Sequence, residues 1–474
     1  MLELRRFAFV LVLVLGACSS SSSVSDDDGS SGGGGTVEPP PEDPAPTFAC
    51  PAGAAEAFAS MAAAFEAQLT ENGVPGGAVA MLCGGEVQHV ATHGVAFAGG
   101  PPITADTRFQ WASTTKMFTG ALAVALAEDG VVDLHAEVGT IAAALGYPGV
   151  TLHHLLSHTA AYPTEFPTYS SELDAVAQAN GDIPMWEAPG VVHVYSNPGF
   201  AVAGHVLSQA AEAPYAALVE QRLFAPAMMN ATFDVAQVMA GDHAVGHREG
   251  GGQVQPNGSY LHTSTYGPMG GAWGSVLDLA RWGQVHLDPA LVMSLEAMDQ
   301  HRTGRTKTGI PGTDYGYGLF VQQSEPRVVH HSGSTDGYLA DWQLLPEEGF
   351  GVFMVVNGSW FLPSQLGDDL IEALYAPTFS DWPTFGTVAD YVGTYHDPFE
   401  LGTVEVTTQN GQLSATFVDT GITTVLQHGY GDVFFASYAP TGGFLDAHFW
   451  RPRSQGEATH LVSIWGIAPR VAPP

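Results

Sequence analysis

The chain has 474 residues, 45% hydrophobic and 10% aromatic, with 57 glycines and 32 prolines. That is enough apolar material for one large core and a smaller second one, and too much for a disordered chain. Only 13% of the residues are charged, and 48 Asp and Glu stand against 14 Lys and Arg, a net charge of -34. No basic stripe exists to displace phosphate counterions, which excludes nucleic acid as a partner. The acidity reads as a solvated surface, and it leaves two lysines in the whole chain, Lys116 and Lys307.

Arg5 and Arg6 precede an unbroken apolar run from Phe7 to Leu15, and Leu15-Gly16-Ala17-Cys18 follows. A basic start, a short apolar stretch and small residues make residues 1–17 a secretory signal peptide, too short to span a membrane stably. The Leu-Gly-Ala-Cys ending resembles a bacterial lipobox. That implies cleavage before Cys18, lipid on its thiol, and an exported protein anchored to a bacterial membrane on the periplasmic or cell-surface side. An ordinary signal peptide with an incidental Cys is the alternative. Residues 18–49 are the lipidated Cys and a linker, Ser-rich, then Asp26-Asp27-Asp28, then Gly32 to Gly35, then Pro-rich from Pro39. Such a segment buries nothing, and as a flexible coil it reaches ~30 Å. If Cys18 is lipidated, Cys50 and Cys83 remain as an even pair in an oxidising compartment, and a disulfide between them is expected. Two buried thiols are the alternative.

Residues 54–70, rich in Ala, Phe and Met, read as a helix. Gly77 to Leu82 and Val87 to Thr92 are apolar runs separated by Cys83-Gly84-Gly85-Glu86, a hairpin pattern. Phe109 to Ala127 reads as a helix ending at Gly130. Further helices are expected near 151–157, 172–180, 199–211, 216–223, 276–287 and 363–375. A second hairpin joins Tyr338–Leu345 to Phe350–Asn357 through Pro346-Glu347-Glu348-Gly349. Strands at both ends with helices between predict an α+β sandwich over residues 50–380, its antiparallel sheet built from both termini of the unit.

Three separated boxes carry chemistry. Ser113-Thr114-Thr115-Lys116 opens an apolar helix, and a spacing of three sets Ser113 and Lys116 on one face. A serine hydroxyl needs a base within hydrogen-bond reach, and a lysine serves only if its pKa falls well below ~10.4. Burial and the positive end of a helix dipole push it that way. The second box is Tyr195-Ser196-Asn197, framed by Pro189-Gly190 and Pro198-Gly199. A tyrosine near a lysine can relay a proton, and an asparagine can hold the lysine and a substrate carbonyl. The third is His331-Ser332-Gly333-Ser334, just before the second hairpin. A strand-edge glycine admits a substrate close to the backbone, and the next N–H can complete an oxyanion hole.

In this order and spacing the boxes resemble the serine β-lactamase and penicillin-binding family, particularly its class C, DD-peptidase and esterase branch. Phe109-Gln110-Trp111-Ala112, Leu155-Leu156-Ser157-His158-Thr159-Ala160, the segment Gly270 to Ala280 and Tyr315-Gly316-Tyr317-Gly318-Leu319 add to the likeness. The resemblance covers roughly residues 55–375. It implies a β-lactamase/DD-peptidase-like sheet flanked by helices, with a helical subdomain. It implies Ser113 as nucleophile, Lys116 as its base, Tyr195 as proton relay and Asn197 as the group positioning Lys116 and substrate. It also places His331 and Gly333 at the sheet edge, with the N–H groups of Ser113 and Ser334 as oxyanion hole. His158 reads as structural. Lys307-Thr308-Gly309 spells the family's alternative third box, but a turn follows it and it lies before the Tyr-Gly-Tyr-Gly element, so His331 is preferred. Histidine there is mostly neutral at pH 7, which weakens recognition of a substrate carboxylate.

After the joint Asp381-Trp382-Pro383, residues 381–474 run in short apolar and aromatic strands and resemble the lipocalin-like β-barrel often appended to this family. The expected function is a serine hydrolase forming an acyl-enzyme on an amide or ester, a D-amino-acid peptide of the cell wall or a β-lactam-related substrate. A carboxylesterase is the rival within that chemistry, and a non-catalytic wall-binding lipoprotein the rival outside it. The 19 histidines show no metal-ligand spacing, so neither metal nor cofactor is expected. The sequence sets no oligomeric state.

Overall fold

The computed structural model describes residues 47–142, 148–161, 187–250, 253–256, 263–310, 312–379, 386–397, 402–430, 432–438, 443–451, 457–463 and 466–471. The signal peptide, Cys18, most of the linker, the expected helix at 172–180 and the joint at 381–383 lie outside them.

An eight-stranded sheet forms the frame. From one edge it runs Glu86–Gly94, Gly76–Cys83, Phe350–Val356, Tyr338–Leu345, Val328–Thr335, Phe320–Gln322, Thr313–Tyr315 and Thr306–Lys307. The strand after the first helix thus pairs antiparallel with the last hairpin, Gly77 opposite Val356 and Leu82 opposite Gly351. Every residue of Gly76–Cys83 is buried, because both faces of the sheet are covered. Ala78, Ala80 and Leu82 enter the larger core, while Val79, Met81 and Cys83 face the helices Ala54–Glu71 and Gln365–Tyr375. Two-residue periodicity sends alternate side chains into two different cores. The edge strand Glu86–Gly94 instead alternates exposed and half-buried positions. A disulfide joins Cys50 to Cys83 across 33 residues, and closing a loop of that length is worth about 3–4 kcal/mol through the unfolded chain.

Inside the larger core, the helix Lys116–Glu128 is buried all round from Lys116 to Leu126. Such a helix needs small side chains where backbones meet. A Cβ on Gly120 would stand 1.8 Å from Tyr317 O, so only glycine fits there.

The expected helix from Phe109 to Ala127 is corrected at its start. Phe109–Gln110 is a short strand paired with Trp273–Gly274, Ala112–Thr115 is a 3-10 turn, and the α-helix begins at Lys116. Backbone pairing of Phe109 and Gln110 outweighed their helix-compatible pattern, a tertiary effect invisible to periodicity. The expected helix at 216–223 divides into an α-turn, Tyr215–Val219, and a π-turn, Glu220–Phe224.

Beyond the main unit, eight strands from Gly393–Asp397 to Gly466–Val471 pair each with the next and close into a barrel. Tyr395, Val404, Phe417, Phe434, Phe449 and Leu461 fill its interior. Packed against this interior, Tyr391 Oη donates to Asp432 Oδ1 at 2.6 Å, and Arg451 pairs with the same carboxylate at 2.8 Å. The architecture is therefore α+β followed by a small all-β unit.

Candidate active site

Ser113 sits in the 3-10 turn, and Lys116 is the first residue of the α-helix. Residues three apart eclipse in a 3-10 turn, which brings Lys116 Nζ to 3.1 Å from Ser113 Oγ. The residue before the serine, Ala112, adopts a left-handed φ of 49°, a conformation costing roughly 1–3 kcal/mol for a residue with a Cβ. Lys116 is fully buried. Its amine also donates at 2.7 Å to Asn197 Oδ1 and at 2.7 Å to Met269 O. The Met269 carbonyl comes from the helical turn Gly267–Gly270, and Thr119 Oγ1 donates to the neighbouring Pro268 O at 2.6 Å.

Tyr195 and Asn197 arrive on the segment leading into the helix Asn197–Ala210, capped by Ser196, whose hydroxyl accepts from Gly199 N–H at 3.0 Å. The Lys116 amine stands 4.9 Å from the centre of the Tyr195 ring. His158 sets this segment. Its Nδ1 accepts from Ser196 N–H at 3.0 Å, and its ring lies 4.3 Å from that of Tyr195. His158 is buried at a left-handed φ of 58°. Burial first, then His193, Lys116 and His331, hold its pKa well below 6.5, so the ring is neutral and acts as an acceptor.

The strand Val328–Thr335 closes the other side. A Cβ on Gly333 would stand 2.0 Å from Trp111 O and 3.1 Å from Ser113 N, so glycine lets this strand lie against the serine turn. Ser334 follows, half-buried. His331 lies on the same strand but turns inward and is 1% exposed. Its Nδ1 donates to Ser332 O at 2.6 Å, and its Nε2 accepts from Tyr315 Oη at 3.0 Å. Burial, followed by the charge of Lys116, lowers its pKa to about 3. This imidazole is neutral at pH 7, with both nitrogens engaged inside the protein.

Ser113, Lys116, Tyr195, Asn197 and Gly333 therefore converge, with His331 in the layer behind them. Lys307 stands apart, three strands away across the sheet, about 14 Å at ordinary strand spacing. Its side chain is 66% exposed and pairs with Asp314 Oδ1 at 2.8 Å. Sequence reasoning had no means of finding the Met269 carbonyl, since a backbone oxygen leaves no trace in residue identity. Tyr315 was visible within its Tyr-Gly-Tyr-Gly element, though its bond to His331 was not. Among the described residues, no group of three or more His, Cys, Asp or Glu is placed to hold a metal ion, and no helix is long and apolar enough to cross a membrane.

The protein-family model described as Beta-lactamase matches residues 61–376, two thirds of the chain. Protein flp of Staphylococcus aureus (strain MW2) is 24% identical over 317 residues, 64% of this chain and 62% of that protein. The chain thus spans about three fifths of the length of this relative. A Beta-lactamase of Yersinia enterocolitica is 25% identical over 352 residues, 65% of this chain and 88% of that protein. Among solved structures, the octameric penicillin-binding protein homologue from Pyrococcus abyssi superposes with a TM-score of 0.62 at 21% identity, covering 87% of this chain and 99% of that one. SurE superposes with a TM-score of 0.68 at 22% identity, covering 88% of this chain and 99% of that one, and SurE with D-Leu gives 0.67 at 21%, covering 88% and 100%. These structural likenesses concern the fold.

Proposed function

This chain belongs to the beta-lactamase family, and from that premise we propose that it is a serine hydrolase forming an acyl-enzyme at Ser113 on an amide or ester, with D-amino-acid peptides of the cell wall as its substrate class. The observation that carries the reading is the buried Lys116 amine 3.1 Å from Ser113 Oγ. Asn197 Oδ1 and Met269 O each accept an N–H of this amine, and in its uncharged form the amine can take the serine proton. As Ser113 Oγ attacks the carbonyl carbon, its proton passes to Lys116 Nζ. The N–H groups of Ser113 and Ser334 receive the oxyanion. Tyr195 hands a proton to the leaving amine or alkoxide, then takes one from the water that hydrolyses the acyl-enzyme, and Lys116 returns its proton to Ser113 Oγ. The D-amino-acid class has a precedent in SurE, whose structure was solved with D-Leu.

A second reading, carboxylesterase, draws on His331. A neutral ring with both nitrogens engaged offers no cation to a substrate carboxylate, which favours acyl groups lacking one. Labelling with a fluorescent penicillin and a fluorophosphonate, followed by a panel of D-Ala-D-Ala peptides, short acyl p-nitrophenyl esters and cephalosporins, separates the readings. Adducts from both probes at Ser113, with release of D-Ala, support the peptidase. A fluorophosphonate adduct alone with fast ester turnover supports the esterase. No adduct in folded protein leaves the non-catalytic wall binder.

Export and a lipid on Cys18 complete the proposal. The Cys50–Cys83 disulfide agrees with an oxidising compartment. Palmitate incorporation that persists in Cys18→Ser would overturn the anchor.

A further inference from the structure

We propose that the C-terminal barrel belongs to the catalytic apparatus: its strand His460–Ser463 clasps the segment carrying Tyr195, making Val462 and His460 positioning residues for that tyrosine. This rests on the reading of Tyr195 as the proton relay.

The argument starts from alternation along the strand. Leu461 points into the barrel and packs in its core. His460 and Val462 therefore point outward, where a barrel side chain ordinarily meets water. Val425 in the strand Ile422–Tyr430 is such a residue, 42% exposed beside the core residue Leu426. Val462 is 6% exposed and His460 8%. Something other than the barrel covers them.

The cover is the stretch of the main unit just before Tyr195. Val462 forms a small apolar cluster with Ala161, Val192 and Val194, separate from the barrel's own core. His460 Nε2 lies 3.1 Å from Glu187 Oε2, and its Nδ1 lies 3.0 Å from Thr459 Oγ1. Burial raises the Glu187 pKa, but the Ala188 N–H bond and His460 outweigh it and leave the carboxyl below its ordinary value. The grip has two points, polar at Glu187 and apolar at Val192 and Val194. Val194 is the residue adjacent to Tyr195.

The opposite side of the segment is tied as well. Gly190 N–H donates to Thr159 O at 2.7 Å, and Val194 N–H donates to His158 O at 2.8 Å. The segment 187–194 is held between the His158–Thr159 backbone and the barrel strand. It has no helix or strand of its own to stiffen it, so both walls are needed to order it. The Tyr195 ring beyond it must keep its place against the Lys116 amine, 4.9 Å away. A displacement of about 1 Å in a proton-transfer group costs on the order of 100-fold in rate.

The test compares Val462→Asp, the pair Glu187→Gln and His460→Gln, and Val425→Asp on the barrel's solvent side, all in the full chain. The reference is ester turnover together with fluorophosphonate labelling of Ser113. We expect Val462→Asp to lower kcat tenfold or more with KM within twofold, and Val462→Ile to retain wild-type kcat. The Glu187 and His460 variants should lower kcat about threefold, and Val425→Asp should leave it unchanged. Equal kcat in folded Val462→Asp and Val425→Asp would overturn the inference. Should Val462→Asp fail to fold, wild-type kcat in the double variant Glu187→Gln, His460→Gln and in Val462→Thr overturns it instead. Unaltered protein that neither labels nor turns over ester defeats the catalytic reading itself, a failure visible before any variant is made.

Discussion

The start of the helix Lys116–Glu128 and the outer edge of the sheet at Thr306–Lys307 each present one of the two lysines of this chain, and each stands in a box that spells part of the same family signature. Lys116 is fully buried among neutral oxygens, those of Ser113, Asn197 and Met269. Lys307 is two-thirds exposed and faces the carboxylate of Asp314. Water and a counter-charge keep an ammonium an ammonium. Withdrawal from water among neutral dipoles favours the uncharged amine, the form able to take a proton. The letters Lys-Thr-Gly at 307–309 carry no such environment.

Replacing each lysine breaks the comparison most directly. Lys116→Ala should lower kcat/KM by about 10³–10⁴, or about 4–5.5 kcal/mol of barrier, while Lys307→Ala stays within twofold. Equal losses would mean that the Lys307 box belongs to the site. Arginine sharpens the contrast, because a guanidinium keeps its proton at any working pH. Lys116→Arg should be as inactive as Lys116→Ala, and Lys307→Arg should keep full activity.

Burial disfavours the charged form of histidine as well, and this bears on stability. His158, His286, His301 and His331 are buried, and burial is the leading cause holding all four below 6.5, His301 and His331 at about 3. Their folded pKa values are depressed, so the unfolded chain binds more protons below pH 6.5 and stability falls as pH drops from 6.5 toward 3. At pH 5.5 the loss relative to pH 7.5 should be on the order of 3–5 kcal/mol, read as a lower midpoint in urea. A flat profile over that range would show that these rings take up protons in the fold as readily as in the unfolded chain.

Asp341 tests the same rule with the opposite sign. Burial, then Asp368, raises its carboxyl to about 8, and Gln343 Nε2 donates to it at 2.8 Å. The folded state then keeps a proton that the unfolded chain releases above about 4, so this group's contribution falls as pH rises from 4 to 8. Asp341→Asn should raise stability at pH 8 by about 1–3 kcal/mol and do little at pH 4. Smallest of all, Lys307→Ala should cost under about 1 kcal/mol, and less at high salt, as exposed pairs do. A larger cost would mean that the Asp314 pair is shielded from water.

Much of the main unit was legible because its signals are local. Alternating apolar runs around Gly84-Gly85 and around Glu347-Glu348-Gly349 marked both hairpins, and the pairing of the first strand with the last followed from strands at both ends of the unit. Ser113 and Lys116 were legible because three-residue spacing means contact in either kind of helical turn. The break at Phe109–Gln110 was not, since it depends on a strand 164 residues further along. His331 was legible as a strand-edge residue, but its inward turn onto Tyr315 depends on what packs behind the strand.

By itself the sequence determined the local grammar: a serine three residues before a lysine, a tyrosine and asparagine on a glycine-framed segment, a glycine where backbone must approach backbone, and a strongly acidic composition. Only the tertiary structure decided which lysine loses its water, which histidine loses its charge, and what lies against the stretch before Tyr195. Those are matters of solvation and long-range contact, and they belong to no window of sequence, because the dielectric around a side chain is set by residues hundreds of positions away.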